Sequence, residues 1–348
     1  GYSVYQSGED ENNRYHFVNT NPFYARNAAG TDWLVGKANE NPWGIGLHIY
    51  GSYTDVTQAA DILTNGRYGV GVRVEGVGNI LRIAPDTVIE ANGNEGYGLL
   101  VSYGKNHQIA HFGTVTALGE EGIAARFDFG SNLLGDDIEL RGSYICTSEI
   151  YPDYVFLTDD LNGPLIKTFD VAGTLIGKKA AIFIADNALV ETINVFNGAY
   201  LSGDIISKWN PEDQRLQLPE GSNQSDFVTK LNFGVKYAEN IEDTTTYVAD
   251  PQFALRYDGH IASGFDQDSG EWTRAAIRMN VAGGKLSFNG EANLIDVQVQ
   301  KGAELGGNAT FTVDQFTNNG TLSPGNSIGK VSIKGDYVEG PDGRLKLE

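Results

Sequence analysis

Gly46-Leu47-His48-Ile49-Tyr50-Gly51 returns as Gly71-Val72-Arg73-Val74-Glu75-Gly76, then as Gly98-Leu99-Leu100-Val101-Ser102-Tyr103-Gly104, and again as Gly122-Ile123-Ala124-Ala125-Arg126-Phe127-Asp128. The leading glycines lie 25, 27 and 24 residues apart. Self-similarity at a fixed period marks a protein built by stacking one small unit. A second element keeps phase, because Thr87-Val88-Ile89-Glu90-Ala91-Asn92-Gly93 matches Thr114-Val115-Thr116-Ala117-Leu118-Gly119, 27 residues on. Further along, Leu165 to Val171 matches Leu189 to Val195 at a spacing of 24, and Gly198-Ala199-Tyr200-Leu201 reappears as Gly302-Ala303-Glu304-Leu305. The repeat covers most of the chain.

Within each repeat, apolar and polar residues alternate at period two in short Val- and Ile-rich runs bounded by Gly, Asn and Asp, which reads as strand, turn, strand. Only 55–63 predicts a short helix. Two or three strands per ~25 residues, each rung pairing with the next at ~4.8 Å, make an all-β parallel β-helix of ~10–12 rungs. A propeller needs ~40–45 residues per blade and a leucine-rich repeat needs its own consensus, so neither fits. Aligning the glycines points Leu47, Val72, Leu99 and Ile123 inward, together with Ile49, Val74, Val101 and Ala125. The outward columns then read His48, Arg73, Leu100, Ala124 and Tyr50, Glu75, Ser102, Arg126. Asn79, Asn106, Asn132 and Asn187 fall at turns, where asparagine tolerates the left-handed backbone and its amide can bond the next rung.

Composition narrows the function classes. The 348 residues hold 44 glycines and only ten prolines, with 41% hydrophobic and 11% aromatic residues, enough to build a large core. Twenty-five Lys and Arg against 45 Asp and Glu give a net charge of −20, which repels phosphate backbones, so nucleic acid is not an expected partner. Cys146 stands alone, which excludes an intramolecular disulfide and a four-cysteine zinc site. It reads as a small buried hydrophobe. No apolar run is long enough for a transmembrane helix. The chain starts Gly1-Tyr2-Ser3 without a leader, which suggests a processed or excised form.

Four segments follow from the pattern. Residues 1–43 carry Tyr2, Tyr5, Tyr15, Phe17, Phe23, Tyr24, Trp33 and Trp43, an aromatic cap expected to close one end of the core. Regular rungs occupy 44–203, a polar and turn-rich insertion with irregular rungs occupies 204–260, and rungs resume over 261–348. A shorter interruption spans 144–160. Loops on a repetitive scaffold are where binding concentrates, so Trp209 at the start of the 204–225 loop is the first binding candidate, with Trp33 and Trp43 behind it.

Asn318-Asn319-Gly320-Thr321-Leu322-Ser323-Pro324-Gly325-Asn326-Ser327-Ile328-Gly329, followed by Ile333-Lys334-Gly335-Asp336-Tyr337-Val338, resembles the closing repeat of autotransporter passenger domains of Gram-negative bacteria. The specific motif covers about 20 residues, and the rungs from Gly46 onward look like the same family. The resemblance implies a right-handed parallel β-helix exported through a C-terminal outer-membrane barrel that lies outside this sequence. It implies a cell-surface or released protein of type V secretion whose last rungs, 261–348, act like an autochaperone.

Catalytic motifs are thin. Gly325-Asn326-Ser327-Ile328-Gly329-Lys330-Val331 is one residue short of a phosphate loop, and as Gly-x-Ser-x-Gly it lacks the strand before and helix after the serine. His107 and His111, four apart on a strand-turn segment, do not converge on a metal, and His16, His48 and His260 have no such partner in sequence. No metal and no cofactor are expected. β-Helix polysaccharide lyases and hydrolases place carboxylates across adjacent rungs, and the best such cluster is Asp128, Asp136 and Asp137 with Arg126. Charged turn residues explain that cluster equally well. The expectation is therefore a non-catalytic surface adhesin or self-association protein that meets a host surface protein, a glycan or its own copies over a long face. The alternatives are a polysaccharide-cleaving enzyme and the stalk of a larger secreted protein such as a protease.

Overall fold

A short alternating strand cannot bury its apolar face alone, so each rung must lie on the rungs before and after it. The computed structural model describes residues 2–22, 42–130, 132–134, 138–147, 161–238, 246–325 and 329–347. It is an all-β parallel solenoid built on one 23-stranded sheet. The first wall runs through Tyr2–Val4, Ile45–Ile49, Val70–Val74, Tyr97–Val101 and Ile123–Phe127 into the second half of Thr174–Ile184. The second wall runs from Tyr15–Asn19 and Thr54–Gln58 through Ile80–Ile83 and His107–His111 to Ile166–Val171, Val190–Val195, Thr229–Phe233 and Ile277–Val281. The third begins with Ile62–Thr64, Val88–Ala91 and Thr114–Ala117 and continues into the first half of Thr174–Ile184. All these pairings are parallel. No helix among the described residues is long and apolar enough to cross a membrane.

The register of the first three rungs is the one read from the glycines: Leu47 pairs with Val72 and Val72 with Leu99. The fourth rung differs. Leu99 pairs with Ala125 and Val101 with Phe127, so Ala124, not Gly122, follows Gly98. A shift of two preserves the faces, and Ile123 and Ala125 are buried all the same. Ala124, expected outward, is buried in the core, and the outward column runs His48, Arg73, Leu100, Arg126. The reason is steric. At Gly46, Gly71 and Gly98 the chain turns a corner so tightly that an added Cβ would come 2.3, 2.3 and 2.2 Å from Ile62, Ile89 and Val115. The slot demands a small residue, and in the fourth rung alanine fills it, while Gly122 sits in the preceding turn. Thr114 likewise pairs with Val88 rather than Thr87, a spacing of 26.

Other expectations need correction. The run 55–63 is not helical: Thr54–Gln58 is a strand with every second residue buried, and Ile62–Thr64 is another. The rungs also shorten toward the C-terminus. Met279 pairs with Val297, 18 residues on, and Val297 with Phe316, 19 residues on. An aromatic file fills these narrower rungs, with Tyr257, Phe288, Phe311, Phe316 and Tyr337 in successive ring contact. At the N-terminus Tyr2–Val4 and Tyr15–Asn19 add strands to the first and second walls, and Tyr2, Tyr15 and Phe17 pack on the core.

Of the turn asparagines, Asn79 is buried and accepts from the Thr54 amide and hydroxyl in the preceding rung, while Asn106 takes the left-handed conformation at φ 57°. Asn187 accepts from the Phe129 amide, and the side chain of Asn132 lies outside the described residues. Among the described residues they act corner by corner and form no continuous ladder. The continuous polar ladder lies on the outside of the second wall, where Asp170, Asn194, Asn232, Asn280 and Gln300 are joined by side-chain hydrogen bonds.

Three substitutions test this packing. Val72→Asp buries an unpaired charge and is expected to cost several kcal/mol in urea unfolding. Gly71→Val, forced against Ile89 and the Gly98 carbonyl, is expected to cost about 1–3 kcal/mol or more by overpacking, whereas Leu100→Val in the outward column stays within about 0.5 kcal/mol.

Candidate functional site

Of the acidic cluster named from sequence, Asp128 and Arg126 are described, and Asp128 is locked into a turn. Asp128 Oδ2 accepts from the Arg126 guanidinium, and Asp128 Oδ1 accepts from the Gly130 amide at 3.0 Å and from Asn187 Nδ2 at 3.2 Å. Arg126 also donates to the Tyr97 hydroxyl and lies over the Tyr97 and Phe183 rings. Every lone-pair direction Asp128 would need for acid-base work is already occupied. Asp136, Asp137 and Trp33 lie outside the described residues. Cys146 sits in the strand Ile145–Thr147, the last of a three-stranded antiparallel sheet with Asn132–Leu134 and Ile138–Gly142, so that excursion leaves the solenoid earlier than 144.

The tryptophans separate by burial. Trp209 is only 2% exposed, belongs to the core and donates its indole N–H to the Phe227 carbonyl at 2.8 Å. It anchors the excursion instead of presenting a contact surface. A tryptophan beginning a polar loop looks the same in sequence whether it points out or in. Trp43 is 68% exposed and stacks on Tyr68 at 4.1 Å, with the Arg67 guanidinium on the far partner of that stack.

His107 and His111 both point into the core. The Asn79 amide donates to His107 Nδ1, so Nε2 carries the proton and donates to the Tyr103 carbonyl at 2.8 Å. His111 Nε2 meets the Thr174 carbonyl at 2.9 Å, and its Nδ1 is buried without a partner. Burial pushes each imidazole down to about 4. Among the described residues no three His, Cys, Asp or Glu side chains converge.

Sequence reasoning missed two outward features. The first is Asp170, which is 4% exposed although it stands on the outer face of the second wall. The hairpin of Val235–Tyr237 and Tyr247–Ala249 folds over it, and both tyrosine hydroxyls donate to its carboxylate, Tyr237 at 2.6 Å and Tyr247 at 2.9 Å. Burial holds the Asp170 carboxyl above its ordinary value, against the opposing hydrogen bonds from Tyr237, Asn194 and Tyr247. Phe196 packs edge-on against both rings. No spacing rule links an aspartate to tyrosines 67 and 77 residues away.

The second is a groove of about 770 Å³ where the 208–228 excursion leaves the solenoid. One bank carries Asn210, Asn223, Gln224 and Ser225, and the floor carries Ala275, Arg278 and Ile295 from the rungs. Two ion pairs cross the floor, Arg278 to Asp296 at 2.7 Å and Arg274 to Asp314 at 2.5 Å. Burial raises the Asp296 carboxyl, opposed by Arg278 and reinforced by Asp314. Lys208 also lines the groove and has no ion-pair partner among the described residues. Amides, a hydroxyl and one free ammonium on a rigid sheet floor can hold a polar ligand by many hydrogen bonds. The loop was legible in the sequence as a polar excursion; Arg274 and Asp314, which line the same groove 66 and 106 residues beyond Lys208, were not. No family model, no curated protein and no solved structure matches the chain.

Two outcomes follow. Because the histidine values in the fold lie below 6.5, the unfolded chain takes up protons first. Stability is therefore full above about pH 6.5 and falls as pH drops toward 4, by on the order of 3 kcal/mol per histidine. His111→Leu should flatten that fall by about half in urea midpoints compared at pH 7 and pH 4.5. Asp170→Ala strands three donors, so hydrogen exchange is expected to quicken in Val235–Tyr237 and Tyr247–Ala249 while the walls stay protected.

Proposed function

We propose that the chain is the passenger segment of an autotransporter: a right-handed parallel β-helix that works outside a Gram-negative cell as a non-catalytic adhesin or self-association surface. The observation that carries this reading is the groove beside the 208–228 excursion. Asp314 on its floor is paired with Arg274, and Asp296 beside it with Arg278, which leaves Glu212 as the single lining carboxylate without an ion pair among the described residues, next to Lys208 and the Gln224 amide. An enzyme that cleaves polysaccharide needs one carboxyl free to give a proton and another to act as base or nucleophile. A binder needs neither. Hydrogen-bonding side chains over apolar floor residues suit a glycan or a polar protein surface, and the fixed parallel walls pre-organise them at little entropic cost.

The C-terminal rungs support the family reading. Asn318, inside the motif that resembles the passenger closing repeat, is fully buried and bonds Glu339, Arg344 and Gly320 across the last turns. Thr321–Pro324 and Val331–Glu339 pair with Glu304–Gly307 and Ala309–Asn318 as successive rungs. A stretch that locks its own neighbours so densely is suited to hold the end of a growing solenoid in register. Under this reading the last rungs serve folding and the groove serves contact.

Glycan arrays and cell-aggregation assays with the purified protein test the proposal. Binding or clumping without sugar turnover is expected, and Lys208→Ala combined with Gln224→Ala should weaken it about tenfold with an unchanged unfolding midpoint, since two groove contacts are worth roughly 1–2 kcal/mol. Release of shortened sugar chains, abolished by Asp296→Asn or Asp314→Asn, overturns the non-catalytic reading.

A further inference from the structure

Among the described residues, the walls are zipped by backbone hydrogen bonds from rung to rung, with one break. The third-wall strand Tyr200–Ser207 pairs with Thr174–Ile184 before it, but no ladder joins its first half to the next third-wall strand, Ala254–Tyr257. That strand begins a separate five-stranded sheet. The same two rungs are paired in the other walls, Val190–Val195 with Thr229–Phe233 and Ile205 with Ile261. The break is thus local, and a cleft of about 510 Å³ occupies it.

Strand alternation says which backbone groups line the cleft. The Tyr200 amide donates back to Gly173, so Tyr200 and Ser202 face the preceding strand and Leu201 faces the cleft. The Lys285 amide donates to Phe253, so Phe253 and Leu255 face the following strand and Arg256 faces the cleft. Side chains tie the cleft only at its ends, where Tyr257 donates its hydroxyl to the Gly203 carbonyl at 2.9 Å and Asn197 Oδ1 accepts from the Ala254 amide at 3.3 Å. Between these ties two strand edges offer N–H and C=O groups without a ladder partner, the arrangement that takes up an added strand.

Charge selects the occupant. Arg256 and Asp258 neutralise each other, Asp204 flanks the cleft without an ion pair among the described residues, and the chain as a whole carries −20. Tyr200, half exposed at the rim, offers a ring face to a cation. We propose that the cleft docks an extended, lysine-bearing peptide segment of a partner protein, which pairs its backbone with Leu201 on one side and Arg256 on the other. This site is separate from the groove beside the 208–228 excursion and does not depend on what binds there.

The test uses the intact protein and a fluorescent Lys-Val-Lys-Val-Lys-Val peptide, with the same peptide N-methylated at alternate residues as its partner in comparison. Both have equal charge, but the methylated one cannot pair along one edge. Anisotropy should show at least a tenfold weaker affinity for the methylated peptide. Hydrogen exchange should slow at the Leu201 and Arg256 amides when the plain peptide is bound. Equal affinities, protection confined to other residues, or no binding of the plain peptide at ~1 mM each overturn the proposal.

Discussion

Everything in this protein rests on the parallel rung-to-rung ladder, because each rung has nothing to bury itself against except its neighbours. The ladder fixes register, and register fixes which side chain of every pair is inside. The tightest consequence is at the corners of the first wall. There Gly46, Gly71, Gly98 and Ala124 stack because two consecutive residues turn inward and only a small one clears the facing Ile62, Ile89 or Val115. Small residues at that slot let the chain bend without opening the core.

A ladder of this kind tolerates excursions, since a loop that leaves one rung and returns to the next disturbs no pairing elsewhere. The chain uses this repeatedly. The 208–228 segment is pinned by buried Trp209 and makes one bank of the groove. The Val235–Ala249 hairpin is pinned by the two tyrosines on Asp170. The Gly264–Asp266 and Glu271–Thr273 hairpin lays Trp272 on His260 at 4.2 Å. In each case one or two side chains fix the excursion to the walls, which keeps its remaining surface available and its geometry defined.

Polar groups follow the same stacking logic. Outside the second wall, Asp170, Asn194, Asn232, Asn280 and Gln300 hand hydrogen bonds from rung to rung, so groups that the hairpin takes out of water keep their partners. Inside, His107 and His111 stay neutral because the core excludes the charged form. Asp170 itself, buried without a cation beside it, is held by three neutral donors instead of a countercharge.

The period of the sequence determined the solenoid, its parallel all-β character and the inward faces, because a slot shared by stacked rungs must hold similar residues and repetition is visible without coordinates. Leu47, Val72 and Leu99 were assigned correctly for that reason. The fourth rung was misaligned by two because Gly122, a turn glycine, looks like the corner glycine that Ala124 replaces. Only the tertiary structure decided what lies between distant segments. Trp209 turns inward, Asp170 gains Tyr237 and Tyr247, and Arg274, Arg278 and Asp314 complete a groove begun at Lys208. Those meetings depend on how many rungs separate two excursions and on the wall from which each departs, quantities that turn lengths of 18 to 27 residues per rung accumulate along the chain and that no local pattern records.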